Sequence, residues 1–183
     1  MPARRFCLGL TLIAMLGLSP ETHAQEYDSS GWYLGAGLGL GIENYDDTSG
    51  LNVGTGIGFD LWAGYRFDPN LSVELQLEYL DRLNNSIANG SATAFTGNVK
   101  TYLETDWIQP FLLVGIGFAR VDYRDSRISA NDVGFAARLG GGMDFYLWDS
   151  NTSLGVTVSY VVTTGDADGF DYLSLVFGVQ RRF

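Results

Sequence analysis

Cysteine, histidine, long apolar runs and positive charge are all scarce in this chain. Its one cysteine is Cys7 and its one histidine is His23. Both lie in the first 24 residues, which read as a processing segment. The remaining 159 residues (183 − 24) therefore have neither. An exported domain without cysteine draws no stability from disulfides. Without histidine it cannot build the Ser-His or Asp-His arrangements in which an imidazole acts as general base. A metal site would have to rest on carboxylates alone. No apolar run after residue 24 approaches the ~20 residues of a transmembrane helix; the longest is Phe111 to Ala119. The domain either is soluble or crosses a membrane as strands. Basic residues number 11 and acidic ones 21. Removing Arg4, Arg5 and Glu21 leaves 9 against 20, a net charge of −11. That balance argues against nucleic acid as a partner.

The first 24 residues carry the marks of a signal peptide. Arg4 and Arg5 give a basic start, Phe6 to Leu18 an apolar run, and Thr22-His23-Ala24 small residues at the −3 and −1 positions. Cleavage is expected after Ala24. The residues around Arg4-Arg5 fit a twin-arginine signal poorly, and Cys7 has no lipobox before it. The expected organisation is residues 1–24 as signal peptide and 25–183 as one domain.

What is present is alternation. From Leu173 onward, Leu173, Leu175, Phe177, Val179 and Phe183 alternate with Ser174, Gly178, Gln180 and Arg182. A period of two puts one set on each face of a strand. The same period predicts eight strands: Trp32 to Glu43, Thr55 to Phe67, Leu71 to Leu80, Gly97 to Thr105, Pro110 to Val121, Val133 to Leu147, Thr152 to Thr164 and Asp171 to Phe183. Most match the ~9–11 residues that a tilted strand needs to cross a bilayer. Connections alternate in length. Asp68 to Asn70, Asp106 to Gln109 and Trp148 to Asn151 are short; Asn44 to Gly54, Asp81 to Thr96, Asp122 to Asp132 and Gly165 to Phe170 are longer. Short periplasmic turns and longer external loops are the pattern of outer-membrane barrels. An even strand count puts both ends of the domain on the periplasmic side.

Alternation fits a soluble, lipocalin-like barrel as well as a membrane barrel; the two differ in which face is wet. The polar face here combines many glycines with Asp60, Arg66, Glu74, Glu78, Lys100, Glu104, Arg138, Asp144 and Arg182. An eight-stranded barrel has an interior just wide enough for side chains to fill. Mixed-sign charges suit an ion network there, and glycines make room for long side chains such as Arg138 and Trp62. Aromatics are expected to form two belts. Trp32, Tyr65, Phe67, Trp107, Phe145, Trp148 and Phe183 fall at the inner ends of strands, and Tyr79, Phe118, Tyr123, Phe135, Tyr160 and Tyr172 toward the outer ends. Both features favour the membrane barrel.

With its signal peptide, eight amphipathic strands and terminal Phe183, the chain resembles the small outer-membrane β-barrel proteins of the OmpA/OmpX-like porin family. The resemblance covers nearly all of residues 25–183. It implies an all-β fold: an eight-stranded antiparallel up-and-down transmembrane β-barrel in the cell outer membrane. It also implies that Phe183, Val179 and Phe177 form an assembly signal read by the barrel-assembly machinery. Arg181 departs from the pattern, in which that position is aromatic or apolar; a guanidinium near the membrane edge can snorkel to water. Expected partners are periplasmic chaperones, outer-membrane lipids and lipopolysaccharide, with the protein a monomer.

The remaining chemistry is thin. Glu74 and Glu78 lie four apart on one strand face and could do acid–base work, but pairing with Arg66, Arg138 or Lys100 is the better reading. Asp166, Asp168 and Asp171 flank glycines in the last external loop, without the spacing of a twelve-residue calcium loop. Gly35 to Gly41 has the composition of a phosphate loop but opens no helix. Arg120, Arg124 and Arg127 cluster at the outer rim, where lipopolysaccharide phosphates would attract them; the plain reading is rim charge balancing Asp122 and Asp125. No cofactor is expected. The sequence favours a non-enzymatic protein with a structural or surface-interaction role and a side-chain-filled lumen. The alternatives are a narrow porin-like channel and a soluble binder of lipocalin type.

Overall fold

The structure is a computed structural model that describes residues 30–43, 55–85, 88–124, 129–147, 151–165, 167 and 170–183. The expected signal peptide, residues 1–24, lies outside these. Eight antiparallel strands close into a barrel in sequence order. They are β1 (Gly31–Glu43), β2 (Thr55–Asp68), β3 (Leu71–Asn85), β4 (Ala88–Tyr102), β5 (Ile108–Arg124), β6 (Ser129–Tyr146), β7 (Thr152–Gly165) and β8 (Tyr172–Arg182). Each strand pairs with its sequence neighbours, and β8 closes on β1, with Phe177 opposite Leu38 and Val179 opposite Ala36.

The register fixes the shape. Following paired residues once around from Tyr33 leads through Gly64, Glu74, Asn98, Gly115, Arg138, Val161 and Tyr172 to Glu43. The path returns to β1 ten residues on (43 − 33), which is the barrel's shear. With strands ~4.8 Å apart and ~3.3 Å per residue, eight strands and this shear give a tilt of about 40°. Closure leaves no free sheet edge.

The faces separate as period two requires. Outward side chains are apolar and bare: Trp32, Leu38, Ile57, Ile116, Phe118, Leu139 and Phe177 are each more than half exposed. Inward positions hold Asp60, Arg66, Glu74, Glu78, Lys100, Arg138, Asp144 and Arg182, all buried. An apolar outside around a charged inside inverts the soluble-barrel arrangement.

β1, β2, β7 and β8 start and stop within one residue of the spans read from sequence. The middle strands are longer. β3 runs on to Asn85 and β4 begins at Ala88, so most of the expected loop Asp81 to Thr96 is strand. β5 and β6 likewise pair through Tyr123↔Ala130 and Arg124↔Ser129. At 15 to 18 residues these four strands exceed what a bilayer requires. Beyond the hydrocarbon the outward face has no need to be apolar, so the hydrophobic alternation stops before the strand does. A register shift between Leu80 and Leu83 marks the change.

Two assignments are corrected. Glu104 is not in the lumen: β4 ends at Tyr102, and Glu104 sits exposed in the turn that follows. The turn is fixed by Leu103 N donating to Pro110 O (2.8 Å) and Tyr102 N to Asn70 O (2.7 Å). Tyr172 is not in an outer belt: it is the first residue of β8, turned inward and buried. Of the other belt residues, the side chains of Tyr123 and Trp148 lie outside the described residues. Trp32, Phe67, Trp107 and Phe183 are exposed at the end carrying the termini, and Phe118, Phe135 and Tyr160 toward the far end.

Candidate functional site

The lumen is where the unusual chemistry of this chain gathers. Its wall is asymmetric. β2, β3 and β4 point Asp60, Trp62, Glu74, Gln76, Glu78, Asn98 and Lys100 across the interior, while β1 faces them with Gly35, Gly37, Gly39 and Gly41. The glycines are room for the crossing groups. A Cβ at Gly35 would overlap the Trp62 indole, and one at Gly64 would overlap the Tyr33 ring.

Three polar layers fill the barrel. Nearest the termini, the Arg66 guanidinium donates to Gln109 Oε1 (2.7 Å) and to Pro69 O, and lies 3.8 Å over the Tyr102 ring. Tyr102 donates to Asp144 Oδ2 (3.2 Å). In the middle, Lys100 Nζ meets Glu74 Oε2 at 3.1 Å. Tyr33 donates to the same carboxylate (3.2 Å), Asn98 bridges Glu74 to Gln76, and Gln76 Nε2 donates to Asp60 Oδ1 (2.6 Å). Trp62 Nε1 donates to Gln180 Oε1 (3.0 Å), tying β2 to β8. Toward the far end, Arg138 and Glu78 form an ion pair with no solvent exposure. Ser174 Oγ (2.5 Å) and the Tyr172 hydroxyl (3.3 Å) also donate to Glu78, and Arg138 Nη1 donates to Ser159 Oγ (3.3 Å).

An apolar cap closes the far end. Ala167 and Phe170, from the β7–β8 connection, pack on Leu80, Ala92, Val121 and Val161. Thr163 Oγ1 donates to Ala167 O (2.5 Å) and Phe170 O (2.9 Å), and Asp171 Oδ1 accepts from Thr163 N (3.0 Å). Asp171 is thus engaged by backbone; Asp166 and Asp168 lie outside the described residues.

The interior is close to electroneutral. Among the described residues, Asp60, Glu74, Glu78 and Asp144 stand against Arg66, Lys100, Arg138 and Arg182, four of each sign. Such a lumen has no surplus charge to recruit counter-ions. One cavity, between Trp62, Lys100, Asp144, Thr157 and Gly178, measures about 20 Å³. That is room for about one water. Glu74 and Glu78 each face a cation, so neither is a free acid–base group.

The other sequence candidates lie on the outside. Phe177, Val179 and Phe183 point outward, and Phe183 N donates to Trp32 O (2.9 Å), completing closure. Arg120 forms an exposed pair with Asp122 at 3.1 Å, a contact of little energetic weight. The Arg124 side chain and all of Arg127 lie outside the described residues, so the rim cluster is not assembled by what is described. Alternation does not reach the cap: Ala167 and Phe170 sit in a connection, where no period operates. The neutral partners Gln76, Asn98 and Gln180 were readable as inward positions, but not as links; Gln109, read as part of a turn, lies inside β5 and is buried.

Comparison with known proteins agrees with this geometry. The family model described as "Outer membrane protein beta-barrel domain" matches residues 10–183. No curated protein matches by sequence. Among solved structures, Neisserial surface protein A (NspA) is similar with a TM-score of 0.72 and 14% identity, over 84% of this chain and 98% of that one. Ail, the attachment invasion locus protein of Yersinia pestis, has a TM-score of 0.61 and 16% identity, over 84% and 99%. The N-terminal β-barrel domain of Pseudomonas aeruginosa OprF has a TM-score of 0.51 and 14% identity, over 81% and 97%. At such identities the likeness is one of fold.

Proposed function

This chain belongs to the outer membrane protein beta-barrel domain family, and from that premise we propose that it is a non-enzymatic outer-membrane protein with a structural or surface-interaction role and a lumen closed to solutes. The observation that carries the proposal is the interior formed by the described residues: three cross-linked polar layers and an apolar cap, with a cavity between Trp62, Lys100 and Asp144 of only about 20 Å³. A solute path would have to break the buried Arg138–Glu78 pair, and leaving either charge alone in the interior costs about 3–5 kcal/mol. The buried carboxylates that could serve as acids or bases are held by cations (Glu74, Glu78), an amide (Asp60) or a tyrosine hydroxyl (Asp144), and residues 25–183 contain no histidine.

With the lumen closed, interaction falls to the outer surface: lipid along the strands, and the far end for anything outside the cell. The solved neighbour Ail was crystallised with a heparin analogue. A polyanion of that kind suits this chain poorly, given its net charge of −11 after residue 24. Lipids, lipopolysaccharide, chaperones and the assembly machinery are the partners proposed, with the protein acting as a monomer. Planar-bilayer recording on purified, refolded protein tests the reading. The expected result is no unitary conductance; reproducible unitary steps would establish the channel instead.

A further inference from the structure

The outward face is not evenly filled. Across β2, β3 and β4, on the half of the barrel that carries the termini, an apolar groove of about 680 Å³ opens toward the surroundings. Its floor is Ala63 and Gly97, its walls Val73, Leu75 and Val99, and its lower rim Trp32, Tyr65 and Phe67. The floor is low because of residue size. Gly97 faces outward between Leu75 and Ile116, and a Cβ there would meet nothing closer than 3.8 Å. The rim is a continuous aromatic arc: Trp32 packs edge-on against Tyr65 at 5.2 Å, and Tyr65 against Phe67 at 5.1 Å.

A cation stands at one end of that arc. Arg181 faces outward and is exposed, and has no acidic partner among the described residues. It pairs in register with Leu34, while Phe183 bonds to Trp32. Arg181 is therefore a diagonal neighbour of Trp32, about 7–8 Å away between backbones, within reach of its long side chain. The other described cations of this half, Arg66, Lys100 and Arg182, are buried in the lumen.

Aromatic rings and an arginine mark the headgroup level of a bilayer, and a groove running inward from them lies at acyl-chain depth. We propose that this groove seats one acyl chain of a glycerophospholipid of the periplasmic leaflet, with the lipid's phosphate held by Arg181. Charge complementarity selects an anionic phosphate, and the all-apolar walls select the chain; a second copy of this protein would leave the unpaired guanidinium against its own like. Aliphatic walls and a rigid aromatic rim fix the chain where flat lipid-facing strands would let it exchange. The proposal rests on the membrane placement above.

Native mass spectrometry of the detergent-purified protein tests it, using phosphatidylglycerol, diacylglycerol and lipid A as separate probes. Heat-modifiable gel migration of the same samples reports whether the barrel is folded, so a failure of the barrel reading is seen apart from a failure of the groove. The folded wild type is expected to retain one phosphatidylglycerol. Gly97→Leu fills the groove and should lower retention roughly tenfold; Ala63→Phe does the same from β2 and serves if the first variant does not fold. Arg181→Gln should abolish the preference for phosphatidylglycerol over diacylglycerol while diacylglycerol still binds. Folded wild type that strips bare, groove-filled variants that retain lipid as wild type does, preference for lipid A, or a dimer in place of a lipid adduct would each overturn it.

Discussion

Trp62 and Gly35 show how single positions decide this interior. The indole crosses from β2 to hydrogen-bond Gln180 on β8, and it can do so because the strand between them has no side chain at Gly35. Gly35→Ala is expected to destabilise the barrel by about 1–3 kcal/mol through overpacking. The same substitution in a Trp62→Ala background should cost much less, a non-additivity readable from urea unfolding in lipid vesicles. Arg138→Met leaves Glu78 buried without its cation and should cost about 3–5 kcal/mol; adding Glu78→Gln should recover part of the loss. Which residues face inward was legible from parity alone. Which of them bond was not, because Glu74–Lys100 and Glu78–Arg138 join strands whose relative heights follow from the shear. Glu104 was misplaced for a related reason: parity continues past a strand's end, but burial does not.

Strands were readable where one face meets lipid and unreadable beyond it. β1, β2, β7 and β8 lie nearly within their apolar alternation, so their ends show in the sequence. β3 to β6 continue as polar pairs past the hydrocarbon, where neither face carries a signal. Closure between β8 and β1 can be checked chemically, since residues 25–183 contain no cysteine to interfere. Ala36→Cys with Val179→Cys should cross-link under mild oxidation, because the two are direct register partners. Ala36→Cys with Phe177→Cys, displaced along β8 on the same face, should not. Gly31 is a special point in this seam. Its φ is +139°, and a Cβ would lie 2.8 Å from Phe183 O. Gly31→Ala should therefore weaken closure and slow assembly, measured as the folded fraction by gel migration over time. The cap is a separate element. Phe170→Ala should cost about 3 kcal/mol yet open no conductance, since the Glu78–Arg138 layer lies beneath it.

For the whole molecule, every conclusion depends on which face of the sheet is wet. Exposed Leu38, Ile116, Leu139 and Phe177 outside, and a neutralised set of buried charges inside, make sense only in hydrocarbon. In water the same barrel would expose an apolar belt far larger than soluble monomers tolerate. The fold and the split into a polar inside and an apolar outside were legible because they follow from periodicity and composition; the cap and the outward groove were not, because they depend on a loop's path and on the depth of one glycine. The direct measurement is fractionation of expressing cells, followed by gel migration of the membrane fraction with and without boiling. The protein is expected in the outer-membrane fraction as a compact band that shifts on heating. Recovery from the soluble periplasm, folded and monomeric without detergent, would contradict the inverted barrel and everything built on it.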